Sequence, residues 1–404
     1  MVNTNKKYDI ILFGATGFTG KLTAEYLVSK MNSEKFTLAL AGRSHSKLSN
    51  LKMEILNKFR NSVEIGIIIA DVGDEESINR MVESTRVLIT TVGPYLKYGE
   101  TILKACAREG VHYLDITGEG AFVQTMYEKY NSLAVANKAR IVNCCGYDSI
   151  PADLGTFFTI KNLPEEESKE VECFISTSSK NIVSALQSFS GGTWHSALGF
   201  MNFDEMERQN DSYQKIRSQF QPRNIYPIPT QFRYRDNEKL FGAPLPFVDV
   251  EVVLRSAGNL PEYGPDFSYG HYLSISGIPQ LFAGLVSVGT VFTMAQIPQL
   301  KDFLLSLKSS GDGPDEDVRS TNQFKHSFVG RSATKTIRTT VTGGDPGYGD
   351  TSKMLGESAL CLLNDKLDER YGVITPVMAM GNHLLSRLSA IGIRFSVIEN
   401  EPKI

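Results

Sequence analysis

Short apolar runs recur along the first third of the chain, each followed by a turn and a segment with helical spacing. Six of these runs are rich in β-branched residues: YDIILFG (8–14), FTLALAG (36–42), VEIGIIIA (63–70), RVLITTV (86–92), VHYLDI (111–116) and ARIVNCC (139–145). Strands that are apolar throughout and alternate with helices are typical of a parallel sheet covered on both faces. The pattern predicts an α/β fold with an N-terminal, doubly wound parallel sheet.

The regular alternation stops near Pro151, which limits the first predicted domain to residues 1–150. Irregular stretches follow, including the Gly/Asp-rich segment 309–317, and then the alternating run TKTIRTTVTG (334–343). Alternation with period two is typical of a strand with one face in water. We therefore predict a second domain of α+β type over residues 151–342.

One segment of the second domain, residues 281–295, contains fifteen residues without a charge. A helix that spans a bilayer needs about twenty apolar residues, so this run is too short to cross a membrane alone. Two interpretations stay open. The run is either a buried helix between domains or a contact with a lipid surface or an acyl substrate.

Composition excludes several classes of protein. The 42 basic and 45 acidic residues give a net charge of −3, so the chain has no basic excess with which to bind nucleic acid. The five cysteines form no CxxC pair, and together with the histidines they show no metal-ligand spacing. The N-terminal apolar run is also too short for a signal peptide, so we expect an intracellular protein without disulfides or metal.

A glycine-rich turn connects the first predicted strand to the first helix. Gly14 permits the tight turn, Gly17 lets the backbone approach a diphosphate, and Gly20 lets the helix pack close to the strand. Amides at the helix N-terminus then face the anion. We predict a dinucleotide site made of Gly14, Ala15, Thr16, Gly17, Phe18, Thr19 and Gly20.

The end of the second strand decides which dinucleotide is preferred. An NAD site places a carboxylate there, whereas this chain has Arg43 and Ser44, followed by Lys47. A guanidinium can bind the 2′-phosphate with two hydrogen bonds, and a carboxylate would repel it. The sequence therefore predicts NADP(H), although Arg43 as a solvated turn residue is the alternative.

Two further groups of residues complete the predicted cofactor site. Asp71, at the end of the third strand, is placed to reach the adenine, and a plain turn role fits it equally well. The loop after the fourth strand lies at the edge where an open α/β sheet binds its ligand. We predict that this loop lies beside the nicotinamide through Thr91, Val92, Gly93 and Pro94.

A reductase also needs a proton donor near the cofactor. The candidate catalytic residues are Tyr95, Tyr98, Tyr147 and His195, and Lys97, Thr117, Asp148 and Glu119 lie at the same predicted edge. Packing or surface roles are the alternative for the tyrosines and for His195. The pair Tyr26 and Lys30 has the spacing of the short-chain reductase dyad, but it lies in the first helix, away from that edge.

Eight stretches of the chain resemble the saccharopine dehydrogenase-like oxidoreductase family, which includes mycobacterial trans-acting enoyl reductases and an animal homologue on lipid droplets. They are YDIILFGATGFTGKL (8–22), LALAGRSHSKL (38–48), TTVGPYLKYGE (90–100), GVHYLDITGE (110–119), NCCGYDSIPADLG (143–155), SGGTWHSAL (190–198), TGGDPGYGDTSKMLGESAL (342–360) and GVITPVMAMGNHLL (372–385). The resemblance implies an NADP-binding Rossmann-like domain, a second domain over its carboxyl edge, and a tail, residues 343–404, that packs back against both.

The resemblance leaves the substrate open. Arginines are sparse in the matched stretches, and the segment 281–295 is apolar, so we predict an NADPH-dependent reductase of a lipid-like or acyl substrate with an activated double bond. One alternative is a non-catalytic NADP(H)-binding protein on a lipid droplet or membrane, and the other is a saccharopine-type amino-acid dehydrogenase. The sequence does not indicate an oligomeric state or a particular compartment.

Overall fold

The computed structural model describes residues 6–59, 63–177, 203–229, 231–235, 240–244, 248–275, 290–291, 293–306 and 316–398. The chain divides into two compact units. The first contains residues 1–147 and 347–387, and the second contains residues 148–346 and 388–404. The C-terminal residues are thus shared between the two units.

The first unit is built on seven strands. They are β1 (Tyr8–Phe13), β2 (Leu38–Gly42), β3 (Ile65–Ile69), β4 (Thr85–Thr90), β5 (His112–Asp115), β6 (Arg140–Val142) and, from the C-terminal part, β14 (Gly372–Ile374). All pairs in this sheet are parallel, in the order β14-β6-β5-β4-β1-β2-β3. This is the predicted Rossmann-like, doubly wound sheet, and each of the six predicted runs contains or overlaps one strand.

Seven helices accompany these strands. They are α1 (Phe18–Lys30), α2 (His45–Phe59), α3 (Glu75–Glu83), α4 (Tyr95–Glu109), α5 (Gly120–Ala136), α11 (Gly349–Asn364) and α12 (Pro376–Ala390), the last of which continues into the second unit. Every residue of β2 is buried, as expected for a strand covered on both faces. Leu48, Leu51 and Ile55 form the buried stripe of α2, as the helical spacing after the second run predicts.

The strand order places the candidate ligand site. β1 lies between β2 and β4, so the chain leaves β1 in one direction across the sheet and later continues from β4 in the other. Ligands of doubly wound sheets bind outside the carboxyl ends of the strands at this reversal. The loops that follow β1 and β4 are therefore neighbours at the expected position.

The described residues of the second unit form a mixed sheet of eight strands. They are β7 (Lys169–Thr177), β8 (Asn224–Pro227), β9 (Arg233–Arg235), β10 (Leu240–Pro244), β11 (Asp266–Ile275), β12 (Phe324–Arg331), β13 (Thr336–Gly343) and β15 (Arg394–Val397). The helices described in this unit are α6 (Ile150–Ile160), α7 (Phe203–Gln219), α8 (Val248–Asn259), α9 (Pro298–Ser306) and α10 (Glu316–Thr321). The sequence TKTIRTTVTG forms β13, which pairs antiparallel with β12, and the predicted α+β class of this region is confirmed.

Most of the uncharged segment 281–295 lies outside the described residues; the exceptions are residues 290, 291 and 293–295. Ala295 is buried against Leu304 of α9, with Val291 and Met294 packed beside them. Among the helices that the structure describes, none combines the length and the apolar character that crossing a bilayer requires.

Candidate cofactor and active site

The turn after β1 is held against two neighbouring strands. The amides of Gly14 and Ala15 donate to the carbonyl oxygen of Ala41, at 3.0 and 3.3 Å. Gly14 has φ +84°, and a Cβ there would lie 2.8 Å from both Thr91 Oγ1 and Val92 Cγ2. Glycine is therefore required at position 14 for its backbone conformation and for the space that the β4 loop occupies.

Gly20 and Gly17 leave the N-terminus of α1 open. A Cβ on Gly20 would collide with the carbonyl oxygen of Gly14, so only glycine lets α1 pack this close to the turn. Gly17 is the N-cap of α1, no side chain caps the helix, and its first turn has no acidic residue. By contrast, the carboxylate of Asp74 caps α3. An uncapped helix N-terminus behind a glycine turn suits an anionic diphosphate.

The residues after β2 provide positive charge. Arg43 and Lys47 are exposed, and no described carboxylate forms an ion pair with either side chain. Ser44 precedes α2, and its hydroxyl accepts a long hydrogen bond of 3.4 Å from the amide of Lys47. Ser44 is therefore the N-cap of α2, and the two cations beside it stay available for a phosphate.

Asp71 makes hydrogen bonds to residues that closely follow it in the chain. Its carboxylate accepts the amide of Gly73 at 2.9 Å, and its amide donates to Ser77 Oγ at 3.0 Å. This arrangement favours the turn role for Asp71, with one carboxylate oxygen bound locally. Its predicted contact with the adenine stays a prediction.

The loop after β4 is bonded directly to the glycine turn. The amide of Thr91 donates to the carbonyl oxygen of Phe13 at 3.0 Å, and its hydroxyl donates to that of Gly14 at 3.1 Å. Thr91 and Val92 are half-buried, whereas Gly93 and Pro94 are exposed. The structure thus brings together residues 14–20 and 91–94, the two loops predicted to contact the cofactor.

Tyr95 lies in the core of the first unit. Its hydroxyl donates to the carbonyl oxygen of Thr90 at 3.2 Å and accepts the amide of Ile116 at 3.4 Å. Its ring lies 5.9 Å from that of Phe122. Burial raises the pKa of Tyr95 well above 10, so the hydroxyl keeps its proton. These contacts favour the packing alternative for Tyr95 over proton donation.

The other candidate donors differ in exposure. Tyr98 and Tyr147 are half-buried, and Lys97 is exposed with its ammonium 5.0 Å from the Tyr98 ring. The amide of Tyr147 donates to Thr351 Oγ1 at 3.1 Å, which fixes its backbone against the start of α11. His195 lies outside the described residues. Tyr98 and Tyr147 therefore stay the candidates that the described structure can place near this edge.

Asp115 is a buried carboxylate at the end of β5 that connects loops at the carboxyl edge of the sheet. The sequence analysis did not identify it. Asp115 is fully buried and accepts four hydrogen bonds of 2.7–3.1 Å. The donors are the amides of Thr117 and Cys144, the Tyr113 hydroxyl and the Asn143 side-chain amide. Burial raises the pKa of Asp115 to about 6, whereas these hydrogen bonds favour its ionised form. Asp115 therefore ties the loop after β5 to the loop after β6.

The C-terminal part of the first unit supports α1. Tyr348 is buried, and its ring meets that of Phe18 edge-on at 4.9 Å. The hydroxyl of Tyr26 donates to Glu357 at 2.5 Å, and Lys30 forms an ion pair with the same carboxylate at 3.1 Å. Tyr26 and Lys30 therefore anchor α1 to α11 through Glu357, and they are not a catalytic dyad.

Comparison with known proteins identifies the family. A sequence profile described as "Saccharopine dehydrogenase NADP binding domain" matches residues 10–142. A Bos taurus protein described as saccharopine dehydrogenase-like oxidoreductase is 31% identical over 432 residues, which cover 99% of both chains. The chain belongs to the saccharopine dehydrogenase-like oxidoreductase family. It is thus an NADP-binding oxidoreductase, and the predicted cofactor is confirmed.

Other relatives of this oxidoreductase carry more specific descriptions. A Mycobacterium leprae protein described as trans-acting enoyl reductase is 30% identical, with 96% of this chain and 97% of the relative covered. A Caenorhabditis elegans protein described as lipid droplet localized protein is 30% identical, with coverage of 97% and 98%. The apo saccharopine dehydrogenase (L-Glu forming) of Saccharomyces cerevisiae shares the fold, with a TM-score of 0.55 at 11% identity over 97% of this chain and 100% of the other.

The described residues of this oxidoreductase fit NADP(H). The close packing of α1 on the glycine turn, which Gly20 permits, and the uncapped N-terminus of α1 suit the diphosphate. The exposed, unpaired cations at 43 and 47 suit a 2′-phosphate, which is doubly charged near neutral pH. The assignment of individual residues to the cofactor stays a prediction.

Proposed function

We propose that this oxidoreductase is an NADPH-dependent reductase of a lipid-like or acyl substrate with an activated carbon–carbon double bond. The observation that carries the proposal is the similarity over nearly the full length to the trans-acting enoyl reductase of Mycobacterium leprae. The partners of three arginines are compatible with it. Arg208, Arg331 and Arg387 each pair with a carboxylate of the protein itself.

Those internal pairs bear on the choice of substrate. A saccharopine-type substrate carries several carboxylates, and recognition of each one favours an arginine that is not already paired. The described arginines named above are bound to Glu251, Glu172 and Asp365. An acyl substrate makes no such demand, so these three ion pairs are compatible with an enoyl substrate.

In the proposed site, the amides at the N-terminus of α1 hold the diphosphate, Arg43, Ser44 and Lys47 hold the 2′-phosphate, and residues 91–94 border the nicotinamide. NADPH, when bound, supplies a hydride for reduction. The proton that completes the reduction comes from Tyr98, from Tyr147 or from water. Glu119 does not serve as this donor in our proposal, because its carboxylate accepts two backbone amides.

Turnover of NADPH tests the proposal. We expect the full-length protein to oxidise NADPH faster with enoyl-thioesters of increasing chain length than with buffer or with the keto acid and amine that a saccharopine-type enzyme condenses. The decrease in absorbance of the reduced nicotinamide measures the rate. Tight NADPH binding without oxidation above the buffer rate would favour a non-catalytic NADP(H)-binding protein, and oxidation only with the amino-acid substrates would favour the saccharopine-type alternative.

A second proposal concerns where the protein acts, and it rests on the surface of α9. Leu300 and Phe303 lie three residues apart on one face of α9 and are 36% and 53% exposed, and Ile297, which directly precedes the helix, is 43% exposed. This face follows directly on the uncharged segment 281–295. A row of exposed apolar side chains next to an uncharged segment suits contact with a lipid surface. The relative described as lipid droplet localized supports the same location.

Flotation measures this contact. Burial of a leucine or phenylalanine side chain contributes about 1.5–3 kcal/mol, so the double variant Leu300→Asp, Phe303→Asp is expected to bind at least tenfold less protein to artificial lipid droplets. Met53→Asp is the matched control, because Met53 is a similarly exposed apolar residue of α2 at 57%. Equal flotation of the double variant and the native protein would remove α9 from the proposed contact.

A further inference from the structure

The carboxylate of Glu119 binds the start of a helix other than its own. One of its oxygens accepts the amide of Tyr95 at 2.9 Å and the other accepts the amide of Leu96 at 2.8 Å. Glu119 directly precedes α5, yet its side chain makes no cap bond with that helix. Tyr95 and Leu96 are the first two residues of α4, so Glu119 caps α4 from the neighbouring β–α loop.

The cap of Glu119 lies at one end of the loop 91–94, and the other end is also held. Thr91 is bonded to the carbonyl oxygens of Phe13 and Gly14 through its amide and its hydroxyl. Only Val92, Gly93 and Pro94 lie between Thr91 and the capped residue Tyr95. The loop is therefore fixed at both ends, by the glycine turn on one side and by Glu119 on the other.

Glu119 is itself held in place. It is 6% exposed, and its amide donates to Thr117 Oγ1 at 3.0 Å. The amide of Thr117 donates to Asp115 at 3.1 Å, and Asp115 also binds Asn143 and Cys144. A continuous series of hydrogen bonds thus runs from the loop after β6, through the loop after β5, to the loop after β4. A carboxylate held this firmly can set the position of the loop that it binds.

We propose that Glu119 is a positioning residue for the nicotinamide end of the cofactor site. By fixing the start of α4, it holds residues 91–94 at the distance from the glycine turn that the nicotinamide requires. This inference rests on the proposed function, which places that loop beside the nicotinamide. Glu119 touches neither the cofactor nor the substrate in this proposal, and it acts through the backbone of α4.

A purely structural cap is the competing interpretation, and a comparison of two ligands separates the two roles. NADPH uses both ends of the site, whereas adenosine 2′,5′-bisphosphate has no nicotinamide and uses only the end near Arg43. We expect Glu119→Ala to raise the Kd for NADPH about tenfold and to change the Kd for the bisphosphate less than twofold. Titration calorimetry on the full-length protein measures both constants.

Asp74→Ala provides the matched control. Asp74 is likewise a carboxylate that accepts two amides at a helix N-terminus, those of Glu76 and Ser77, but α3 follows the edge strand β3. We expect this variant to leave the ratio of the Kd for NADPH to the Kd for the bisphosphate unchanged. Glu119→Gln retains one acceptor oxygen, is the milder change should the alanine variant fold poorly, and is expected to raise the ratio by less than the alanine variant does.

The outcomes are distinct. A raised ratio in the Glu119 variants, with an unchanged ratio in Asp74→Ala, supports the positioning role. An equal change for both ligands, or no change for either, overturns the inference and leaves the proposed function intact. Failure of the native protein to bind either ligand overturns the cofactor site and the inference with it.

Discussion

Replacement of Arg387 with methionine is expected to lower the free energy of unfolding of the first unit by about 3–5 kcal/mol. Arg387 makes five hydrogen bonds of 2.8–3.2 Å to the carboxylates of Glu34, Glu357 and Asp365. The side chains of Arg387 and Glu357 are 17% and 2% exposed. Removal of the guanidinium would leave several carboxylates close together with little access to water.

The pKa shifts around Arg387 agree with this expectation. Hydrogen bonds to Asp365, Glu34 and Glu357 raise the pKa of the guanidinium, and Arg387 in turn lowers the pKa of Asp365. A lowered pKa means that the contribution of Asp365 to stability is present above its ordinary pKa of 3.8 and is lost as the pH falls through its lower value in the folded state. The network should therefore weaken only in strong acid.

Hydrogen exchange of the amides in α1 and α11, followed by mass spectrometry, measures the predicted loss, because the network joins these helices to α12. Arg80→Met is the matched control. Arg80 pairs with Glu76 one turn away, and the two side chains are 61% and 82% exposed, so its loss should cost less than about 1 kcal/mol. Unchanged exchange in the Arg387 variant would show that the three carboxylates do not depend on the guanidinium.

The second large effect concerns cofactor choice. Arg43→Glu is expected to weaken NADPH binding by about tenfold to a hundredfold and to leave NADH binding unchanged. Charge-assisted hydrogen bonds are worth about 1.5–3 kcal/mol, and each 1.4 kcal/mol is a factor of ten in affinity. Because Arg43 is exposed and forms no ion pair with a described carboxylate, the substitution removes only the proposed phosphate contact and leaves no described carboxylate unpaired.

Fluorescence titration with both nucleotides measures this change, and Arg80→Glu controls for the reversal of one surface charge. The control should bind NADPH with native affinity, since Arg80 lies in the last turn of α3, away from the carboxyl ends of the strands. Equal NADPH affinity of Arg43→Glu and the native protein would contradict the assignment of Arg43 to the 2′-phosphate and would leave it a solvated turn residue.

The structural features that the sequence predicted correctly, such as the strands and the glycine turn, depend on local sequence patterns. Six apolar runs predicted six strands because a strand buried on both faces needs apolar residues throughout. The glycine turn was predictable because Gly14 and Gly20 are required by the backbone itself.

Contacts between distant residues were not predictable in the same way. Tyr95 follows β4 as a candidate donor should, but the first turn of α4 directs its ring toward Phe122 in the core. Glu119 and Asp115 had no sequence signal for their partners, because the amides that they bind lie in other loops. The alternating spacing of Asp115, Thr117 and Glu119 was the available clue, since residues two apart in an extended segment share a side.

Calorimetric titration of the native, full-length protein with NADPH and with NADH tests the central claim most directly. The claim is that the amides at the N-terminus of α1 hold a diphosphate while Arg43 selects for the 2′-phosphate. It predicts saturable heat with NADPH and at least about tenfold weaker binding of NADH. Absence of heat with NADPH, or equal affinity for the two nucleotides, would contradict it.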